Sequence, residues 1–237
     1  MKIAIMQPYF FPYIGYFQLI NAVDKFIIYD DVTFIKQGWI NRNSILADGS
    51  ALLFSIPLNG ASSYKLIRDI SINELLYDKW KKKFYKTLDQ YYKKAPYYEK
   101  VLSIIKIALE SKHQLISAVA LCSIKAVCEY LAIETEIAET VDKYSNNYLK
   151  GEDRIIDICR QEAATVYINA EGGRLLYSRN TFKENGIELS FIKSNNIVYK
   201  QFDNSFVPWL SIIDVMMFNH KSIIQHMLRS CNLLNKE

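Results

Sequence analysis

The chain has 237 residues, half of them hydrophobic, so it can bury a large core; 29 basic against 25 acidic side chains leave a net charge of only +4. That mild balance argues against a nucleic-acid-binding protein, which would carry a stronger basic stripe, and nothing in the composition marks disorder. Cys122, Cys128, Cys159 and Cys231 lack paired metal-ligand spacing and only three histidines could assist, so a zinc site is not expected and a reduced cytoplasmic interior is the simpler account.

The first 43 residues hold most of the information. Lys2–Met6 and Lys25–Tyr29 are near-continuous apolar runs, as in parallel strands covered on both faces. Such sheets bind ligands past the carboxyl ends of their strands. Gln7 and Pro8 follow the first run, and Asp30 and Asp31 the second, so these polar groups are expected on one rim. Pro8 and Pro12 keep the loop between out of helix, and Gly15 lets a helix start close to a bound group. The same prolines and Gln7 interrupt the apolar start before a signal core forms, and no run nears the roughly 20 apolar residues that span a bilayer. Tyr9, Tyr13, Tyr16, Lys36, Gln37, Asn41, Arg42 and Asn43 complete the polar and aromatic set.

Farther along, Ala51–Pro57 reads as a third strand ending in the turn 59–63, Ile67–Ile72 as a short strand, and Ser71–Glu74 as a capping box. A helical segment is expected over about 73–132. Its first helix, Asn73–Tyr92, has an apolar face of Trp80, Phe84, Leu88 and Tyr91, and it carries Lys79, Lys81, Lys82, Lys83 and Lys86. The lysines fit a solvated face, attraction to anionic lipid or lipid-linked phosphate, or RNA. Helices at Tyr97–Glu110 and Gln114–Ala132 read as core, with His113 as a cap between them.

An α/β half is expected over about 134–237. Glu134–Thr140 is a strand, then a helix runs Ile155–Glu162; Lys150, Gly151 and Arg154 at its amino end either hold a phosphate or cap it. The strand Thr165–Asn169 ends in Gly172 and Gly173, where the backbone turns tightly or approaches a ligand. A helix Arg174–Asn185, a strand Ile187–Ile192 and a helix from about Ser211 follow, with His220 more structural than basic in role. The expected fold is therefore α/β: a Rossmann-like, mostly parallel sheet with a helical insertion, in one domain over 1–237.

The segments MQPYFFPYIGYFQLI, DKFIIYDDVTFIKQGWINRN, KGEDRIIDICR and LSIIDVMMFN, with the strand that leads to GG and LYS, resemble the WbqC-like protein family along nearly the whole chain. Members tend to be encoded with surface-polysaccharide genes such as those for O-antigen, which implies a cytoplasmic role in making or modifying an activated sugar. The strand, loop, helix and strand at the start also resemble HIGH-type nucleotidyltransferases. Tyr13-Ile14-Gly15-Tyr16 stands where those enzymes have H-x-G-H, and Leu176–Asn180 where they keep a second phosphate motif. Both imidazoles are missing, which argues against nucleotidyl transfer.

The expected activity is acyl or aminoacyl transfer to a nucleotide-activated amino sugar. Asp30 or Asp31 would be general base, Lys36 and Arg42 would stabilise phosphate or oxyanion charge, Gln7, Asn41 and Asn43 would orient substrate, and Tyr9, Tyr13 and Tyr16 would stack on it. The sequence identifies no cofactor, although the paired aspartates would also suit Mg²⁺ beside a pyrophosphate, or a turn cap. The opposing reading is a non-catalytic scaffold or ligand sensor, in peripheral contact with the inner membrane or with glycosyltransferases.

Overall fold

The computed structural model describes residues 1–110, 112–203 and 205–234; positions 235–237 of the expected domain lie outside them. The strands are β1 (Lys2–Met6), β2 (Lys25–Ile28), β3 (Arg42–Ala47), β4 (Ser50–Ser55), β5 (Glu136–Ala138), β6 (Val166–Ala170), β7 (Glu188–Ser194) and β8 (Cys231–Leu234). The α-helices are α1 (Ile14–Asn21), α2 (Glu74–Tyr92), α3 (Tyr98–Leu109), α4 (Ile116–Leu131), α5 (Gly151–Gln161), α6 (Arg179–Glu184), α7 (Ile212–Phe218) and α8 (Lys221–Arg229).

Six strands form one sheet in the order β5-β2-β1-β6-β7-β8, parallel except for the β7–β8 pair. This is the expected Rossmann-like α/β arrangement. Successive residues of each strand serve opposite faces. Ala4, Phe26, Ile28 and Ile168 join a core with α1, α2, α3, α4 and α7, while Ile3, Ile5, Ile27, Tyr167 and Leu189 join a second core with α5 and α6. Burial on both sides explains why the strands read as unbroken apolar runs.

The run Ala51–Pro57 does not enter this sheet. It forms β4 of a separate antiparallel hairpin with β3, registered from Arg42↔Ser55 to Ala47↔Ser50. Asp48 and Gly49 both have positive φ (47° and 74°), the conformation of a tight two-residue hairpin turn. Ile67–Ile72 is likewise not a strand: Ile67–Asp69 is a 3₁₀ turn, and Ile72 and Ser71 make only isolated bridges to Leu58 and Leu115. Asn73, not Ser71, caps α2, its side chain accepting from the Leu76 N–H. The helix expected over Arg174–Asn185 divides into a 3₁₀ turn, Glu171–Leu176, and α6.

The helical insertion is α2, α3 and α4. Tyr77, Trp80 and Phe84 stack in sequence at 5.7 and 5.3 Å, and Phe84 and Leu88 are buried. Tyr92, beside the expected Tyr91, is the fully buried tyrosine at the end of this face. Its hydroxyl donates to Asp214 Oδ1 at 2.6 Å and accepts from the Leu46 N–H. Leu115 holds the amino-terminal cap position of α4, so His113 is not its cap, whereas His220 caps α8 through the Ser222 N–H. Among the described residues no helix is long and apolar enough to cross a membrane.

Candidate functional site

The tyrosine-rich loop between β1 and α1 is fixed from its buried side. Phe10 and Phe11 point inward with no exposure. The Phe11 N–H donates to Ser123 Oγ at 3.0 Å, and its carbonyl accepts from Asn43 Nδ2 at 2.8 Å and Ser211 Oγ at 2.7 Å. These bonds come from β3, α4 and the start of α7, and they hold Phe11 at a φ of 41°, which a bulky side chain rarely adopts. With Phe10 and Phe11 anchored, Tyr9 and Tyr13 are left half-buried on the outer side.

There they line a cavity of about 450 Å³ with Gln7, Gly15, Tyr16, Tyr29, Asn169, Gly172, Gly173 and Tyr177 among its walls. It opens at the carboxyl ends of β1 and β6, where the strand order reverses. That reversal is the topological switch point at which open α/β sheets bind ligands, because the connections on its two sides diverge and leave a crevice. Five residues read from the sequence, Gln7, Tyr9, Tyr13, Gly15 and Tyr16, therefore converge with Gly172 and Gly173 from the far half of the chain. Tyr16 is buried, and its hydroxyl donates to the Gln7 carbonyl at 2.8 Å, so it is a wall whose donor is already used. The Tyr13 ring lies over Gly15: a Cβ there would stand 2.3 Å from the ring edge. Gly15 thus makes room for Tyr13 rather than for a ligand. A Cβ at Gly172 meets nothing within 4 Å, whereas one at Gly173 meets the Asn169 amide at 3.0 Å. Gln7 Oε1 is buried without a hydrogen-bond partner, an acceptor waiting for a donor. Burial pushes the Tyr9 and Tyr13 phenols above their ordinary pKa, with Tyr13 adding to the effect on Tyr9, so both remain neutral donors at neutral pH.

Asp30 and Asp31 take different paths. Both are buried. Asp30 Oδ1 accepts from Thr140 Oγ1 at 3.1 Å, and burial raises its pKa despite that bond. Asp31 Oδ2 meets Arg154 Nη2 at 2.6 Å, while Arg154 Nε donates to Asn146 at 3.0 Å and the guanidinium lies over the Tyr29 ring. Arg154 therefore turns inward from the start of α5 and does not line an anion site there with Lys150 and Gly151, which are exposed. Glu152 and Asp153 already stand in that first turn, complementing the helix dipole. Asp31, Arg154, Arg68 and Asp142 border a polar recess of about 240 Å³. Tyr29 separates it from the larger cavity, lining one and stacking on Arg154 of the other. With Asp31 held by Arg154 and Asp30 by Thr140, the two carboxylates do not form a ready pair for Mg²⁺. Among the described residues no group of three or more His, Cys, Asp or Glu is arranged to hold a metal ion.

The remaining residues serve the frame. Arg42 donates to the Gly38 and Gln37 carbonyls, Asn41 Nδ2 to Ser55 and Ile56 in the hairpin, and Asn43 to the aromatic loop; Lys36 is exposed. In the second nucleotidyltransferase-like segment only Leu176 and Tyr177 reach the cavity. Ser178 caps α6, and Arg179 donates to the Leu234 carbonyl. Sequence reasoning passed over Asn169, Tyr29 and Tyr177 as site residues. The first two had a usable signal, since each stands at or just past the carboxyl end of a buried strand.

No solved structure matches the chain. A relative described as "Uncharacterized protein Rv1507c" from Mycobacterium tuberculosis is 32% identical over 234 residues, 97% of this chain and 98% of the relative. The model of the WbqC-like protein family matches residues 7–226, a span that takes in the aromatic loop, both aspartates and the Gly172–Gly173 turn, and the chain belongs to that family.

Proposed function

We propose that the chain binds a nucleotide-activated amino sugar in the cavity between β1 and β6 and acts on it in the cytoplasm, during assembly of a surface polysaccharide such as O-antigen. The observation that carries this reading is the cavity's position at the strand-order reversal, with tyrosine walls, an unpartnered Gln7 oxygen and a glycine turn on the facing strand. Backbone at Gly172 can approach a ribose or phosphate with no Cβ in the way. The polysaccharide setting rests on the family resemblance.

The reaction that suits this ligand is acyl or aminoacyl transfer. The sugar amine attacks the donor's carbonyl carbon, the C–N bond forms as the bond to the leaving group breaks, and the amine proton passes to that group, which departs as its thiol or hydroxyl. Burial raises the pKa of Asp30, but Asp30 bonds Thr140 and is not among the residues that line the cavity, so it is not assigned as the base. Asp31 and Arg154 form a fixed charge pair along the same rim. The scaffold reading finds its support in α2, where Leu75 is 94% and Leu76 51% exposed beside the lysines.

Thermal shift with UDP-glucosamine and other nucleotide sugars that carry a free amine, with and without acyl donors, tests the site. Ligand at 100 times Kd stabilises by about 2.7 kcal/mol, or about 5 °C in a chain of this length. Gly172→Val fills open space and leaves the unliganded midpoint in place while removing the shift. A shift that survives in Gly172→Val, or no shift with any nucleotide sugar, overturns the assignment. Charge reversal of the α2 lysines that abolishes partner or membrane association without touching ligand binding supports the scaffold reading.

A further inference from the structure

Tyr13 has a second side. Its ring also borders a cavity of about 410 Å³ between the end of β7 and α7, where Tyr199, Phe206 and Trp209 supply aromatic walls and Asn196 supplies an amide, the Asn195 amide being engaged by Ser230 and Asn232. A recess of about 200 Å³ among Tyr9, Tyr13, Trp39 and Trp209 joins the two. Tyr13 lines all three spaces, so they form one groove that runs from the switch point across the mouth of the sheet.

Trp209 is the notable residue of this groove. It is 75% exposed, yet its φ of +62° lies in the left-handed region that a bulky side chain avoids. Strain of this kind persists only where surrounding structure imposes it. Here the imposition is visible in the residues that follow: the Ser211 N–H donates to the Ser44 carbonyl at 2.9 Å and Ser211 Oγ to Phe11 at 2.7 Å, while the Ile212 N–H donates to Pro12 at 2.9 Å. The loop that carries Tyr13 and the turn that carries Trp209 are thus tied together, and the indole meets the Tyr13 ring edge-on at 6.0 Å. The Tyr199 wall is fixed by Asp214, a carboxylate with no exposure that accepts from Tyr199, Tyr92 and Gln201.

The charged groups lining the cavity are Lys193 and Glu171, which pair at 3.2 Å, so it offers no uncompensated positive charge to a phosphate. Rigid aromatic faces suit the weakly positive C–H faces of sugar rings, and the Asn196 amide can both donate to and accept from hydroxyls. We infer that the β7–α7 side of the groove is a neutral-saccharide subsite, in which a glycan of two or more rings packs on Trp209 and Tyr199 and ends at Tyr13. What it meets across Tyr13 rests on the sugar-nucleotide reading of the switch-point cavity; its own binding does not.

Saturation-transfer difference NMR with N,N′-diacetylchitobiose, cellobiose and α-1,3-mannobiose tests the subsite. The ring protons of at least one disaccharide receive saturation from the wild-type protein, and Trp209→Gly, which relieves the left-handed strain and so keeps the fold, lowers that binding by about fivefold or more. Gly172→Val leaves the signal intact. No signal from any disaccharide, or an unchanged signal in Trp209→Gly, overturns the inference; a signal lost in Gly172→Val moves the disaccharide into the switch-point cavity and overturns it as well. Failure of the nucleotide-sugar shift with a persisting, Trp209-dependent disaccharide signal defeats only the earlier assignment.

Discussion

Glu162 gives the sharpest stability prediction. It stands at the carboxyl end of α5, where the helix dipole disfavours a negative charge, and its side chain is only 11% exposed. Burial works against its carboxylate, but Lys143, the Tyr144 hydroxyl at 2.6 Å and Lys25 Nζ at 2.9 Å outweigh both effects and hold its pKa down from 4.5 to about 2. At about 1.36 kcal/mol per pH unit, that difference favours the folded state by about 3 kcal/mol. The sign follows from a depressed acid: the contribution is whole above pH 4.5 and is lost as pH falls through about 2. Glu162→Gln should therefore lower the unfolding free energy by about 3 kcal/mol at pH 7, with the gap to wild type closing toward zero near pH 2. Urea denaturation of both proteins, followed by circular dichroism across that range, reads the gap directly. Equal gaps at neutral and acid pH, or a loss below about 1 kcal/mol at pH 7, would refute the argument. Lys25 and Glu136 begin β2 and β5, so this cluster lies at the opposite end of the strands from the cavity, and ligand shifts should survive in the folded variant.

Asn43→Ala leaves the buried Phe10 and Phe11 carbonyls short of a donor and should cost about 1–3 kcal/mol in chemical denaturation, with weaker ligand binding because the tyrosine loop loses an anchor. For the buried Asp31–Arg154 pair, Asp31→Leu or Arg154→Leu alone should cost about 3–5 kcal/mol by stranding a charge, and the double variant should cost less than either. A double variant as damaged as the sum of the singles would show that the two side chains act independently.

Sequence alone determined where the chain changes direction and which strand ends are polar. The runs Lys2–Met6 and Lys25–Ile28, the prolines around Tyr9 and the glycines after β6 encode these features locally, through backbone preference and hydrophobic pattern. It therefore pointed to one rim shared by Gln7, Asp30 and Asp31 and to a close backbone approach at Gly172–Gly173, whereas the pairing of β1 with β6 that sets Gln7 beside that turn came from the fold. It did not separate Ala51–Pro57 from the main sheet, because a strand's pattern reports burial and period but not its partner; the Asp48–Gly49 turn was the overlooked local clue. Tertiary structure alone decided which polar groups face a ligand and which face each other. Asp31 and Arg154 lie 123 positions apart, and only the docking of α5 beside β2 spends one on the other. Asn43 and Ser211 likewise become supports of the aromatic loop, and Trp209 becomes a wall beside Tyr13, because long-range packing, unlike local propensity, has no fixed spacing along the chain.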